Sequence, residues 1–301
     1  MISVIVVNYE KYEDTFACVE SILKSETTQE FKIIVVDNAS PNESWEKFQI
    51  LKDNEKIVLL KSDENKGYCA GNNIGIKYSL EKLNAEYIWI LNPDTLVKKN
   101  TLQELYDFAI TKEDLGILGC KLVYYPDTQF LQGLGGGDYG IYKYGELKPG
   151  PHIFHLEDSK TKLPEVVELD LIIGASMFIP TKVFEKVGFL NERFHLYSDE
   201  TEFCLRVTKF GFKNYAISAA TVYHKEGWRQ KEQQLSAVYY TTRNSLFMIK
   251  ELFPQNIRRN FFISFLRIFA YLKNLKFKEA KYQIKALHDF IFNIDGKAQL
   301  R

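Results

Sequence analysis

Two apolar runs, each ending at an aspartate, constrain this chain more than anything else in it. Ile33-Ile-Val-Val-Asp37-Asn-Ala-Ser40 and Ile88-Trp-Ile-Leu-Asn-Pro-Asp94-Thr95 share one design. An unbroken apolar run of about four to six residues suits a strand buried on both faces of a parallel sheet. In such sheets ligands sit beyond the carboxyl ends of the strands. Asp37 and Asp94 therefore fall where a ligand would be held.

The first third of the chain repeats this alternation. Ile2–Val7, Phe31–Val36, Lys56–Leu60 and Tyr87–Leu91 read as strands, and Thr15–Lys24, Ser44–Lys52 and Asn72–Leu83 carry helical spacing between them. The series βαβαβαβ predicts a parallel sheet covered by helices, of the nucleotide-binding kind. Tyr124–Glu168, with Gly133, Gly135–Gly137, Gly140, Gly145 and Gly150, lacks periodicity and reads as a long loop or hairpin bordering the site. Strand-like runs resume at Leu169–Ile173 and Met177–Ile179, helices follow near Thr181–Val187 and Glu200–Phe210, and the pattern is helical from Gln230 onward.

Charge and cysteine usage exclude several classes. Lys plus Arg equal Asp plus Glu at 39 each, which argues against a nucleic-acid partner. Cys18, Cys69, Cys120 and Cys204 form no paired spacing, so buried thiols in a reducing compartment are expected rather than a disulfide scaffold or zinc site. The amino terminus enters a strand-like segment with no basic region or cleavage site, and no apolar stretch reaches about 18 residues. A cytoplasmic protein, without a signal peptide or a membrane span, is the expectation.

Several side chains sit where chemistry would need them. Asn8 and Tyr9 close the first strand and Asp37 and Asn38 the second; an amide or carboxylate there can meet the edge of a base and an aromatic can stack on it, although Asp37-Asn-Ala-Ser-Pro could equally form an Asx turn. Lys66-Gly67 and Gly71-Asn72-Asn73 open a helix with small residues and amides, suited to an anion or simply to a tight turn. Asp94, with Asn92 two residues before it, can hold a divalent cation behind a leaving diphosphate. Asp199-Glu200-Thr201-Glu202 puts three carboxylates in four residues, more than a helix start requires, so one can serve as a general base. His224, after the run Ala220–Tyr223, is a second metal-ligand candidate.

Taken in order, Asn8-Tyr9, Val-Val-Asp37-Asn-Ala-Ser, Asn65-Lys-Gly-Tyr with Gly71-Asn-Asn-x-Gly75, Asn92-Pro-Asp94, Gly174-Ala-Ser-Met, the Asp199–Glu202 cluster and Tyr-His224 resemble family 2 glycosyltransferases of the GT-A fold, and within them the bacterial rhamnosyltransferase-like branch. The likeness covers about Ile2–Trp228, and Tyr239-Tyr-Thr-Thr-Arg243-Asn244 continues it. It implies an α/β GT-A domain over 1–229, nucleotide-binding to about 120 and acceptor-binding from 121, followed by a helical region over 230–301. It also implies inverting transfer of a sugar, rhamnose by branch likeness, from a dTDP- or UDP-linked donor to a glycan or polyprenyl-linked acceptor, with Mg2+ or Mn2+ as cofactor. By the resemblance Asn8, Tyr9, Asp37 and Asn38 hold the base, Lys66, Gly67, Asn72 and Asn73 the ribose and phosphates, and Asp94 the metal, with His224 completing that site. Asn92 belongs to the same motif, and Gly174 and Ala175 line the sugar pocket.

The chain departs from the family pattern twice. Asn92 replaces the first of two usual aspartates, and the usual Glu-Asp of the acidic cluster is reversed, so that Glu200 takes the base position and Asp199 is its alternative. A sugar nucleotidyltransferase or a silent glycan-binding partner are the rival readings. Lys250–Lys285 interleaves basic residues with Phe261, Phe262, Phe265, Phe269 and their apolar neighbours. Such a face suits anionic lipid at the inner side of the cell membrane, or else packing on the catalytic domain or a second subunit of a homodimer.

Overall fold

The computed structural model describes residues 1–135, 162–225 and 235–298. Gly136, Gly137, Gly140, Gly145, Gly150 and Trp228, together with the expected boundary near 229, lie outside them.

Four parallel strands form the nucleotide side of the sheet: β1 (Ile2–Asn8), β2 (Phe31–Asp37), β3 (Ile57–Lys61) and β4 (Tyr87–Leu91), in the order β3-β2-β1-β4. They are joined by α1 (Tyr12–Leu23), α2 (Ser44–Phe48) and α3 (Tyr68–Leu83). Because successive side chains point to opposite faces, the apolar runs divide between two cores. Val4, Val6, Ile33, Val35, Trp89 and Leu91 pack with Cys18, Val19 and Ile22 of α1. Ile5, Val7, Ile34, Val36, Ile88 and Ile90 pack with Cys69 and Ile76 of α3. Each strand is thus apolar on both faces, as the sequence requires.

Beyond β4 the sheet becomes mixed. The chain continues through β5 (Thr95–Val97), α4 (Thr101–Ala109), β6 (Leu115–Tyr124), β7 (Leu131–Gly133), β8 (Val166–Leu169), β9 (Ser176–Pro180), α5 (Thr181–Val187), α6 (Asp199–Lys209) and β10 (Lys213–His224). The order runs on from β4 as β9-β6-β10-β5, with β7 on β6 and β8 on β10. β9 lies antiparallel between β4 and β6. The short strands β5, β7 and β8, the helix α4 and the long strand β6 were not expected individually. β5, β7 and β8 are only three or four residues long, too short for a periodic signal, and β5 and β8 pair with the distant β10.

Three helices complete the described chain: α7 (Leu235–Leu252), α8 (Ile257–Lys273) and α9 (Phe277–Ile291). Phe247, Met248, Ile249 and Leu252 of α7 pack with Phe194 and Leu205, so α7 is seated on the segment that leads into α6. Leu246, Ile268, Ala280 and Leu287 join α7, α8 and α9 to one another. Among the described residues no helix is long and apolar enough to cross a membrane. All four cysteines are buried and unpaired; burial pushes the thiols of Cys18, Cys120 and Cys204 up to about 12, which leaves them unreactive.

Candidate active site

The carboxyl ends of β1, β2 and β4 form one rim of the sheet, and the sequence motifs collect along it. Asn8 and Asp37 face each other across the β1–β2 register. Asn8 Nδ2 donates to Asp37 Oδ1 at 3.0 Å and to Ser40 Oγ at 3.1 Å, while its Oδ1 accepts from Thr15 Oγ1 at 2.9 Å. Asp37 Oδ2 accepts from the Ser40 amide at 3.3 Å. Both residues are fully buried, so the Asx-turn reading is realised and their polar atoms brace the rim. Tyr9, beside them, is 39% exposed and presents its ring to solvent.

Next along the rim is the turn before α3. Gly67 has φ of 105°, and a Cβ there would meet the His195 carbonyl at 2.5 Å, so both the backbone conformation and the close approach require glycine. Asn38 Nδ2 donates to Asn65 Oδ1 and to the Gly67 carbonyl, each at 3.1 Å, binding the second strand to this turn. Asn72 Nδ2 donates to the Tyr68 carbonyl at 3.0 Å. The side-chain oxygens of Asn38 and Asn72 are buried acceptors with no hydrogen-bond partner among the described residues. Buried acceptors of that kind ordinarily find a donor, and a ligand hydroxyl would serve.

Two expected ligand residues have other duties. Both N–H groups of Asn73 are spent, on the Leu190 carbonyl and on Glu192 Oε1 at 2.9 Å each, and its oxygen accepts from the Leu190 amide at 3.1 Å. Asn73 therefore pins the 190–192 segment to α3, a task its position in sequence does not reveal. Lys66 points outward and pairs with Glu64 at 2.8 Å. It lines a separate depression shared with Ser62, Asp63, Lys77 and Glu192.

The deeper site is an open cleft of about 470 Å³ lined by Tyr68, Asn92, Ile173, Gly174, Ala175, Leu196, Tyr197, Asp199, Glu200 and His224. Sequence-distant elements meet there. The short antiparallel pairing of β5 with β10 sets Thr95 opposite His224, which brings His224 Nε2 to 3.2 Å from Asp94 Oδ1. His224 Nδ1 lies 2.8 Å from Gln132 Oε1 of β7, which fixes the ring and presents Nε2 to the carboxylate. Burial would raise the Asp94 carboxyl, but the hydrogen bond and charge of His224 and the charge of Lys225 hold it below its ordinary value. Asn92 is anchored by its backbone, whose N–H donates to the Ala175 carbonyl at 3.0 Å, and it lines the cleft beside Gly174 and Ala175.

Tyr197 and Ser198 take φ of 64° and 65°, two successive non-glycine residues in the left-handed region. This turn delivers Asp199 and Glu200 to the first turn of α6. Gly174 lies against Glu200, where a Cβ would come within 3.2 Å of the Glu200 Cβ. Its carbonyl accepts from the Tyr68 hydroxyl at 2.9 Å. Asp199 is buried, and burial, followed by the charge of Glu200 and a hydrogen bond to it, holds its carboxyl well above the usual range. Glu202 turns away to pair with Arg206 at 2.6 Å, the role its place in the first helical turn suggests.

The side chains here that can hold a metal are thus Asp94 and His224. Among the described residues no group of three or more His, Cys, Asp or Glu gathers at one point. One carboxylate and one imidazole suit a transition-type divalent ion such as Mn2+ better than Mg2+, with waters and substrate phosphates as the remaining ligands. Gln132, Tyr68 and Tyr197 were not anticipated from sequence. Only the alternation Leu131-Gln132-Gly133 within a glycine-rich stretch hinted at the first.

The glycosyl transferase family 2 model matches residues 3–162, more than half of the chain. The chain belongs to glycosyl transferase family 2. It is 28% identical to the low-salt glycan biosynthesis hexosyltransferase Agl10 of Haloferax volcanii, a match covering 86% of this chain and 78% of the relative. It is 25% identical to the dTDP-rhamnosyl transferase RfbF of Shigella flexneri, covering 73% and 71% respectively, in agreement with the rhamnosyltransferase-like branch. Among solved structures it superposes on GalNAc-T7, determined with UDP, GalNAc and Mn2+, with a TM-score of 0.62 and 16% identity. That match covers 83% of this chain but 47% of the longer one. The GT-A fold of the family 2 enzymes is therefore the fold of this chain.

Proposed function

We propose that this glycosyltransferase moves a sugar from a nucleoside-diphosphate donor to an acceptor hydroxyl in a single displacement that inverts the anomeric carbon. The observation that carries the reading is the cleft itself, whose lining brings Asp199 and Glu200 together with His224, the partner of Asp94. Glu200 removes the proton of the attacking hydroxyl as its oxygen bonds to the anomeric carbon. The bond to the diphosphate breaks, and its electron pair leaves on the diphosphate oxygen. Asp199, keeping its proton through burial, donates a hydrogen bond to Glu200 and leaves Glu200 as the base. Asp94 and His224 would hold Mg2+ or Mn2+, which when bound supplies positive charge to the departing diphosphate. The orphaned oxygens of Asn38 and Asn72 support a hydroxyl-bearing ribose at the mouth of α3, with Tyr9 stacked on the base, Asn8 and Asp37 bracing it, and Gly174 and Ala175 leaving room for the sugar.

The relatives support the donor class. One uses a dTDP-rhamnosyl group and a fold neighbour was solved with UDP and Mn2+. By extension the acceptor is a glycan or a polyprenyl-linked glycan, and the protein works at the cytoplasmic face of the membrane. The outward face of α8 supports that location. Phe262, Phe265, Leu266, Phe269 and Leu272 are exposed there, and residues 257–278 include six Arg or Lys and no Asp or Glu. Such a face repels its own copy and attracts anionic lipid, which favours lipid over a homodimer through α8.

Thermal shift of the purified protein with UDP, dTDP, GDP, CMP and NAD, each with and without Mn2+, tests the reading. A metal-dependent rise with one nucleoside diphosphate is expected, since a ligand that binds only the folded state stabilises it. No shift with any of them would sink it.

A further inference from the structure

The last helices are tied by a run of hydrogen bonds to the turn that precedes the acid pair. Asn244, fully buried on α7, donates from Nδ2 to the Leu196 carbonyl at 2.8 Å and to the Tyr197 carbonyl at 2.9 Å. Those carbonyls belong to the left-handed turn that delivers Asp199 and Glu200. The amide has one possible orientation. Arg243 Nε donates to Asn244 Oδ1 at 3.1 Å, so both N–H groups must face the turn. Arg243 is also wholly buried, with Nη1 donating to the Tyr239 hydroxyl at 3.0 Å and Nη2 to the Gly296 carbonyl at 2.9 Å.

We infer that Asn244 is a positioning residue for the transfer reaction: its amide holds the 196–198 turn in the conformation that aims Glu200 into the cleft, and Arg243 holds the amide. Two successive left-handed residues other than glycine persist only where their surroundings over-determine them. Here the over-determination comes from α7, about fifty positions on in sequence. Released from Asn244, the turn is free to leave its left-handed conformation, and Glu200, which follows it directly, loses its fixed aim into the cleft. The base then leaves hydrogen-bond reach of the acceptor hydroxyl. Leu196 and Tyr197 also line the cleft, so the same amide sets one of its walls. The inference rests on the transferase reading above and extends the catalytic device into the C-terminal helices.

The test uses the full chain and two probe donors, dTDP-rhamnose and UDP-glucose, each with Mn2+, with release of nucleoside diphosphate as the readout. Asn244→Ala is expected to lower kcat by about tenfold to a hundredfold, the scale of a small misplacement of a reacting group, while diphosphate affinity by thermal shift stays as in the parent. In a Glu200→Gln background the same substitution should cost nothing further, because both act through one group. Hydrogen exchange should quicken at amides 196–202 and stay unchanged in β1–β4. Full kcat in folded Asn244→Ala, or an equal loss in the Glu200→Gln background, overturns the inference. Should Asn244→Ala fail to fold, Asn244→Gln, which keeps the amide but displaces it, takes its place with the same two criteria. If the parent releases diphosphate from neither donor, the transferase reading fails on its own, and the clamp is judged by exchange alone. Unchanged exchange at 196–202 then overturns it, and selectively faster exchange upholds it.

Discussion

Asp199 and Glu200 are neighbours in sequence and are treated very differently by their surroundings. Asp199 is buried, and burial with the neighbouring Glu200 raises its carboxyl well above the usual range; Glu200 lies against the bare backbone of Gly174, and both border the cleft. Glu200→Gln should therefore lower transfer by about two orders of magnitude or more, measured as kcat with donor affinity retained; near-parental turnover would pass the role to Asp199. Stability should respond to pH through the same pair. Asp199 is raised in the folded state, so the native protein binds a proton that the unfolded chain has already lost, and stability falls as pH rises through the folded value. Urea melts across pH should show that decline setting in above the unfolded carboxylate range, and Asp199→Asn should flatten it. Asp94 has the opposite sign: lowered in the folded state, it contributes stability above its unfolded value that is lost as pH falls through the folded one. Asp94→Ala should remove that acid-side loss and also abolish any Mn2+ dependence of diphosphate binding. These two acidic motifs were legible in sequence because each ends an apolar run or crowds a helix start. The division of labour within the second was not, since burial distinguishes adjacent residues only after folding.

Elements set the reach of these side chains. The turn into α3 depends on Gly67, whose φ of 105° and contact with the His195 carbonyl leave no room for a side chain. Gly67→Ala should cost at least about 1 kcal/mol from the backbone alone, read as a lower urea midpoint. It should also weaken diphosphate binding, because the Asn38 anchor to the Gly67 carbonyl moves with it. Helical spacing located α3 but began it at Asn72, four residues late, since Tyr68 to Gly71 carry no periodic apolar signal. The β5–β10 pairing is a starker case. Three residues of β5 bring Asp94 to His224 across more than a hundred positions, and no local pattern announces so short a strand. Asn73 was read as a ligand residue for a similar reason: two consecutive amides at a helix start look alike until the 190–192 segment arrives to claim one of them.

At the scale of the whole molecule, the catalytic cleft and the basic, aromatic face of α8 belong to one body. α7 packs on the segment entering α6, and α8 and α9 pack on α7. Attachment to lipid would therefore hold the cleft near a membrane-borne acceptor. Full-length protein should sediment with vesicles containing phosphatidylglycerol and not with phosphatidylcholine alone, with binding weakened by salt. The double substitution Phe265→Glu and Phe269→Glu should release it while leaving thermal stability close to that of the parent, because both side chains point outward. Retention of the variant on anionic vesicles would remove α8 as the contact.

Sequence alone determined the parallel half of the sheet, the family, and the aspartates at the strand ends, because an apolar run long enough to be buried on both faces has few other places to go and must end where water or a ligand begins. Only the tertiary structure decided which amides are spent on protein partners and which keep an unpartnered oxygen, which carboxylate is the more buried, and that Gln132 meets His224 and Asn244 the turn before Glu200. Those assignments depend on partners brought together from distant segments, and on burial, which belongs to the folded chain and to no residue by itself.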